Sequence, residues 1–299
     1  MIILEGVDKS GKTMLARELK AITGWDIKKF GIPVGDPIPS YINELQSITG
    51  PKIYDRFIYG EIPYSIVKQR PRYMNWIAFT ILDLMVQSTP HLVVYCRPPR
   101  EDLQDRLTKE PDDYVNLEEG LKLYEEYDEL FNCIEANTLC YDNLDLHKTI
   151  DDILEFIKHN HNWEKYNKWK EKGMPGIGRL NAKYLFIGER FNNNAQYQIT
   201  FWSKSGEYLF RNIQKAGIRL KNCHFTNAIS SDINWITKEQ LEFLAPMKII
   251  CLGEVAYTTV RDLVPRKMVS KIPHPAFWSR FYSQDTDDYI KMLREACTI

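Results

Sequence analysis

Between an apolar segment at residues 2–7 and a helical pattern at 11–22 stands Gly6-Val7-Asp8-Lys9-Ser10-Gly11-Lys12-Thr13. Nothing else in the chain limits the fold as much. Two glycines separated by four residues and followed by Lys-Thr form a loop whose backbone amides turn toward a bound anion, with the helix N-terminus behind them. Such a loop needs a buried strand feeding it and a helix leaving it, which is the beginning of a parallel sheet covered by helices. Gly6, Asp8, Lys9, Ser10 and Gly11 form the cradle. Lys12 supplies a point charge for the β and γ phosphate oxygens, and Thr13 a hydroxyl for Mg²⁺. The expected cofactors are ATP and Mg²⁺, and the expected chemistry is phosphoryl transfer.

Alternation continues downstream. Strand-like segments at 52–54 and 92–96 are interleaved with helical patterns at 73–87, 101–107, 117–136 and 146–159. Residues 161–180 change character, with Asn, Trp and Lys followed by Gly173, Pro175, Gly176 and Gly178, and read as a linker. Strand patterns then return at 184–187, 223–226, 249–252 and 269–272, with helical ones at 206–216, 238–244, 254–263 and 285–296. The expected organisation is two α/β domains, 1–160 and 181–299, joined by 161–180.

Charge divides the same way. Residues 1–160 hold 18 Lys and Arg against 27 Asp and Glu, a balance of −9, while residues 161–299 hold 21 against 13, a balance of +8. A basic half fits a polyanion such as DNA, and it also fits simple attraction to the acidic half. No apolar run reaches the ~18 residues that span a bilayer, so no membrane partner is expected. The strand-like opening of the sequence is read as carrying no signal peptide. Six scattered cysteines without a Cys-x-x-Cys pair suit reduced thiols and a cytoplasmic location. The oligomeric state is not legible.

A second motif narrows the acceptor. Tyr54-Asp55-Arg56-Phe57 follows a strand, and Tyr64 comes seven residues later. With the glycine loop and Asp8, this resembles the thymidylate kinase family over residues 1–159. The resemblance implies an NMP-kinase-like parallel sheet. It places Asp55, Arg56, Phe57 and Tyr64 on the acceptor side, Asp8 at the acceptor sugar, and Lys9 as the basic residue of the loop. Arg56 would hold the acceptor phosphate or its equivalent, a task that suits a planar guanidinium. A lid is expected near Arg97, Arg100, Arg106 and Lys109, with Arg106 on the moving phosphoryl group. Where the family has Pro-Asp-Leu this chain has Pro90-His91-Leu92, which implies a different metal and water organisation.

Five pieces of the basic half recur in a recognisable order: Gly188-Glu189, Phe201-Trp202-Ser203, Thr226-Asn227-Ala228, Leu252-Gly253-Glu254 and His274-Pro275-Ala276, with Arg280 after the last. Over residues 182–296 they resemble the uracil-DNA glycosylase superfamily, which implies a three-layer α/β domain that binds a base turned out of a duplex. Phe201 would stack on the pyrimidine, Asn227 would read its O4 and N3–H, and His274 would sit near O2 and the sugar. Phe277 and Trp278, expected in a loop, would rest on DNA. The tight Pro-Gly turn of the first motif is replaced by Arg190-Phe191-Asn192-Asn193-Asn194. Base recognition without cleavage of the glycosidic bond is therefore expected.

Joined, the halves suggest a kinase whose partner is double-stranded DNA carrying a modified pyrimidine, 5-hydroxymethyluracil being one that offers a hydroxyl. The pairing resembles the 5-hydroxymethyluracil DNA kinases of phages. Three alternatives stand beside it: a free deoxynucleoside monophosphate kinase acting on dTMP or hydroxymethyl-dUMP, a uracil-DNA glycosylase regulated by ATP, and an ATP-gated DNA-binding module.

Overall fold

The computed structural model describes residues 1–110, 112–160, 162–173, 176–191, 199–230, 233–282 and 286–298. The chain divides into two compact units, Met1–Lys165 and Tyr166–Ile299.

The first unit runs β1 (Ile2–Glu5), α1 (Lys12–Thr23), β2 (Ile27–Lys29), α2 (Ile38–Ser47), β3 (Ile53–Asp55), α3 (Glu61–Val67), α4 (Trp76–Ser88), β4 (Leu92–Cys96), α5 (Arg100–Lys109), α6 (Leu117–Cys133), β5 (Thr138–Tyr141) and α7 (Leu146–Asn160). Its five strands are all parallel and lie in the order β2-β3-β1-β4-β5. Alternate side chains fill two cores. Leu92, Val94 and Cys96 join Ile2, Leu4 and the Leu15-Ala16-Leu19 stripe of α1 on one face. Tyr95 joins Leu123, Tyr124 and Tyr127 of α6 on the other. Both faces being covered explains why β1 and β4 read as unbroken apolar runs. The strand expected over 2–7 ends at Glu5 because Gly6 turns away at φ 137°. Four short elements escaped the pattern. They are the three-residue β2, the helix α2 started by Pro37 and Pro39, the seven-residue α3, and β5, which follows α6 after a four-residue connection. The helix expected over 117–136 therefore stops at Cys133.

Helix α8 (Trp163–Glu171) lies across the division between the units. The second unit continues with β6 (Ile177–Gly178), β7 (Tyr184–Arg190), α9 (Lys204–Lys215), β8 (Cys223–Ser230), β9 (Ile233–Asn234), α10 (Lys238–Leu244), β10 (Lys248–Leu252), α11 (Glu254–Val260), β11 (Val269–Ile272), α12 (Pro275–Phe281) and α13 (Thr286–Ala296). Its sheet has the order β11-β10-β7-β8-β6, parallel through β8, with β6 and β9 antiparallel on β8. The unit is thus the second α/β domain that the alternation predicts. One correction concerns Phe277 and Trp278. They lie on α12 and not in a loop, because Pro275 sits at the first turn and the His274 side chain caps the helix.

His224, on β8, is buried, and its Nδ1 is 3.0 Å from the Gly178 carbonyl oxygen. Burial pushes its imidazole down to about 4, against the two backbone contacts that favour charge. The unfolded chain has an ordinary histidine near pKa ~6.5, so between those values the unfolded state takes up a proton that the folded state refuses. Stability is complete above about pH 6.5 and is lost as pH falls toward about 4, by about 3 kcal/mol from this residue. Thermal unfolding of wild type and His224→Gln across that range checks this: the variant should show the shallower pH dependence, and equal slopes would remove His224 as the cause.

Candidate functional site

All the parallel strands of the first unit present their carboxyl ends at one edge, with β1 between β3 and β4. The glycine loop leaves β1 there, Asp55 and Arg56 leave β3, and residues 142–143 leave β5. This is the topological switch point, where open α/β sheets bind ligands. The loop's geometry is fixed from behind. Asn143 donates through Nδ2 to the Ser10 carbonyl at 2.9 Å. Gly11, at φ 90°, has no room for a Cβ, which would lie 2.4 Å from Asn143 Oδ1. Lys12 is fully buried, and its ammonium donates to the carbonyls of Gly6 and Val7 and to Ser10 Oγ. Thr13 Oγ1 donates to Asp55 Oδ2 at 3.4 Å. A hydroxyl and a carboxylate at this spacing suit Mg²⁺, which takes one or two protein oxygens and completes its shell with phosphate and water. Asp55, expected on the acceptor side, is thereby placed beside the Thr13 hydroxyl.

Asp8, Arg56 and Tyr64 form one cluster. Arg56 Nη2 pairs with Asp8 Oδ1 and donates to Tyr64 Oη at 2.9 Å, and Tyr64 Oη donates to Asp8 Oδ2 at 2.6 Å. Burial works to raise the Asp8 carboxyl, but Arg56 and Lys12 hold it below the usual carboxylate range. Asp8 is therefore held as a charged hydrogen-bond acceptor and is a weak base. Glu5 stands behind, accepting the Phe57 amide at 2.7 Å and the Tyr127 hydroxyl at 3.2 Å. Burial raises it to about 7. Beyond Arg56 lies a narrow cleft with about 20 Å³ of free space, whose aromatic wall is Phe30, Tyr41, Phe57, Tyr64 and Tyr114. Of the four expected lid cations, Arg97 and Arg100 are tied to Asp128 and Glu125 of α6, and Lys109 to Asp105. Arg106 reaches the loop and donates to the Lys9 carbonyl at 3.2 Å. Lys9 itself pairs with Glu110 at 3.4 Å.

His91 corrects one expectation. It is buried at the amino end of β4, where Leu92 pairs with Ile2, and it bonds to Thr89 and Asn137. The loop lies at the other end of these strands, about 13 Å away for a four-residue rise. The missing aspartate therefore leaves the phosphate end untouched.

In the second unit, Asn227 and Phe201 converge on Gly188. A Cβ at Gly188 would lie 2.6 Å from Asn227 Nδ2 and 3.1 Å from Phe201 Cζ. Asn227 Nδ2 donates to the Arg190 carbonyl at 3.1 Å, and its Oδ1 is buried without a hydrogen-bond partner among the described residues. An orphaned buried carbonyl oxygen costs about 1–3 kcal/mol, which a ligand N–H would recover. Phe201 sits at φ 63°, and Gly206 accommodates it because a Cβ there would lie 1.9 Å from the Phe201 carbonyl oxygen. Of the six described non-glycine residues at positive φ, Lys9, Arg56, Asn143 and Phe201 belong to these two sites, the pattern of strain held at functional positions. His274 Nδ1 accepts the Ala276 amide at 3.2 Å. Burial lowers its imidazole, and only Glu189 opposes this. Glu189 accepts the Val255 amide at 3.3 Å at the start of α11, so its carboxylate is engaged in the helix turn. Asn192, Asn193 and Asn194 lie outside the described residues.

Sequence reasoning missed Glu5, Asn143, and the pocket residues Tyr41, Glu61 and Arg70. A carboxylate inside an apolar strand is itself a signal, so Glu5 was findable. Asn143 was not, because only the fold brings residue 143 to residue 10.

Residues 175–297 match the uracil DNA glycosylase superfamily. No curated protein matches the chain in sequence. Among solved structures, YorR of Bacillus subtilis in complex with phosphorylated GDP aligns with 21% identity over 54% of this chain and 98% of its own, at a TM-score of 0.47. Deoxyadenosine kinase of M. mycoides, with dCMP and dCDP bound, aligns with 18% identity over 52% and 97%, at 0.36. Thymidylate kinase of Candida albicans aligns with 18% identity over 53% and 91%, at 0.34.

The Lys12 ammonium is pushed down to about 8, first by burial and then by Arg56. It loses charge as pH rises through that value, so kcat/KM for ATP should fall about tenfold per pH unit above about 8. Lys12→Arg should straighten the alkaline limb, and a limb that is the same in both proteins would assign it to another group.

Proposed function

We propose that the chain is an ATP-dependent phosphotransferase that phosphorylates the hydroxymethyl group of 5-hydroxymethyluracil in double-stranded DNA. The supporting observation is the pairing, in one chain, of a complete phosphate loop with a second set of strand ends where Asn227 and Phe201 meet at Gly188 and Asn227 Oδ1 is buried without a described partner. With Nδ2 turned to Arg190, Asn227 offers Oδ1 to an N–H donor, which uracil has at N3 and cytosine lacks. The exposed aromatics Phe277, Phe281 and Tyr282 around α12, 49%, 69% and 43% accessible, give the basic unit an apolar surface beside His274 suited to an unstacked duplex. Glu189 is engaged at α11, which favours recognition over glycosidic cleavage.

In this reading the hydroxymethyl oxygen forms a bond to the γ-phosphorus as the bond to the β-bridging oxygen breaks, and the electron pair leaves with ADP. Asp8 accepts the hydroxyl hydrogen bond, and the proton moves late, as loose phosphoryl transition states allow. Thr13 and Asp55 would hold Mg²⁺, which when bound would supply charge neutralisation on the phosphates. Lys12 and Arg106 lie where charge on the transferring group needs compensation.

The free-nucleotide kinase is the second reading, favoured by the fact that the first unit contains its own aromatic pocket. Incubation with γ-labelled ATP separates the two: label on hydroxymethyluracil duplex but not on thymine duplex, hydroxymethyl-dUMP or dTMP is the expected outcome. Label confined to the free nucleotides would replace the DNA reading. Asn227→Ala should lower kcat/KM on the duplex by about tenfold to a hundredfold with ATP binding unchanged, and equal loss of both would make Asn227 a folding residue.

A further inference from the structure

The acceptor pocket of the first unit is unusual in its charge. Among the described residues, every cation facing or backing it has a carboxylate partner. Arg56 is paired with Asp8. Lys68, which lies over the Tyr114 ring at 4.5 Å, is paired with Glu119 at 2.8 Å. Arg70 Nη2 lies 3.8 Å from Glu61 Oε2. Glu61 is fixed in place by the Tyr41 hydroxyl, which donates to Oε1 at 2.7 Å. The rim adds no positive charge. Residues 30–37, between β2 and α2, contain neither lysine nor arginine and only Asp36 as a charged group. Their tip is apolar, with Ile32 and Val34 54% and 104% exposed. A phosphate dianion is bound where cations outnumber carboxylates. Here it would meet cations already neutralised and two carboxylates, Asp8 and Glu61, at close range.

We propose that Glu61 sets the acceptor class of this site: by neutralising Arg70 it leaves an aromatic slot matched to an uncharged, hydroxyl-bearing base or nucleoside and mismatched to a free nucleoside monophosphate. This rests on the phosphotransferase reading and is separable from the DNA reading. A nucleotide within a duplex keeps its charge on backbone diesters and presents only the neutral base, so the slot and a polymeric substrate are compatible. Arg56 then serves to position Asp8 and the acceptor hydroxyl instead of clamping a phosphate. Glu61 is a specificity residue, acting through the field it places on the acceptor.

Glu61→Gln tests this with little disturbance, since the amide oxygen still accepts the Tyr41 hydroxyl while the negative charge is gone. Transfer from γ-labelled ATP is measured to 5-hydroxymethyl-2′-deoxyuridine, to its 5′-monophosphate and to duplex DNA carrying the base. Wild type should favour the nucleoside over the monophosphate by about tenfold in kcat/KM, the size expected for one added like charge near the acceptor. Glu61→Gln should erase that preference by improving the monophosphate. Tyr41→Phe, which keeps the carboxylate, should retain it. A wild type that prefers the monophosphate, or a ratio unmoved in Glu61→Gln, overturns the proposal. The duplex is read separately: an unlabelled duplex with the nucleoside preference intact removes the DNA reading alone, and no transfer to any acceptor removes the phosphotransferase reading and this proposal together.

Discussion

The backbone pairing of parallel strands is the constraint on which both halves of this protein depend. In a parallel ladder every strand ends at the same edge, so residues far apart in sequence are delivered to one line. In the first unit that line holds the loop after β1, Asp55 and Arg56 after β3, Arg97 after β4 and Asn143 after β5. In the second it holds Gly188 and Glu189 of β7, Asn227 of β8, Gly253 after β10 and His274 after β11. The candidate chemistry of the chain is thus written in two short rows of strand ends.

What differs between the rows is charge. The first combines cations and carboxylates that are already matched to one another, with Lys12 turned onto its own loop carbonyls. A polyphosphate bound there would have to draw the buried ammonium away from these internal partners, so its affinity would be a difference between two sets of contacts. The second row is nearly neutral and carries one unmet hydrogen-bond acceptor, the Asn227 carbonyl. A neutral, donor-bearing ring fits the second row, and a polyphosphate with its cation fits the first.

Much of this was legible because glycine loops and strand-end motifs are local. The spacing of Gly6, Gly11, Lys12 and Thr13 carries its own geometry, and the alternation of apolar runs with helical stripes gave both sheets. Elements shorter than the reach of periodicity were missed: β2 has three residues and α3 seven, too few to show a repeat. The helix pattern at 117–136 absorbed the turn into β5, because an apolar residue at 134 continues a helical stripe as well as it starts a new segment. At the site, Asn143, Tyr41, Glu61 and Arg70 carry no motif. Their meaning comes from partners 9 to 133 residues away, which only the topology supplies. The reading of Pro90-His91-Leu92 failed for the opposite reason. A motif difference was given weight that its position, at the far end of β4, does not carry.

Lys9, Arg56 and Phe201 share a feature with a longer reach than their contacts. Each is a bulky side chain on left-handed backbone, where glycine would be more comfortable. Replacing any of them with glycine would relax the main chain and remove the group that the site presents. At these three positions folding and activity ask for different residues. Variants selected for thermal tolerance should accumulate there as losses of function, and a family descending from such a chain would reveal its working sites by where it refuses to become more stable.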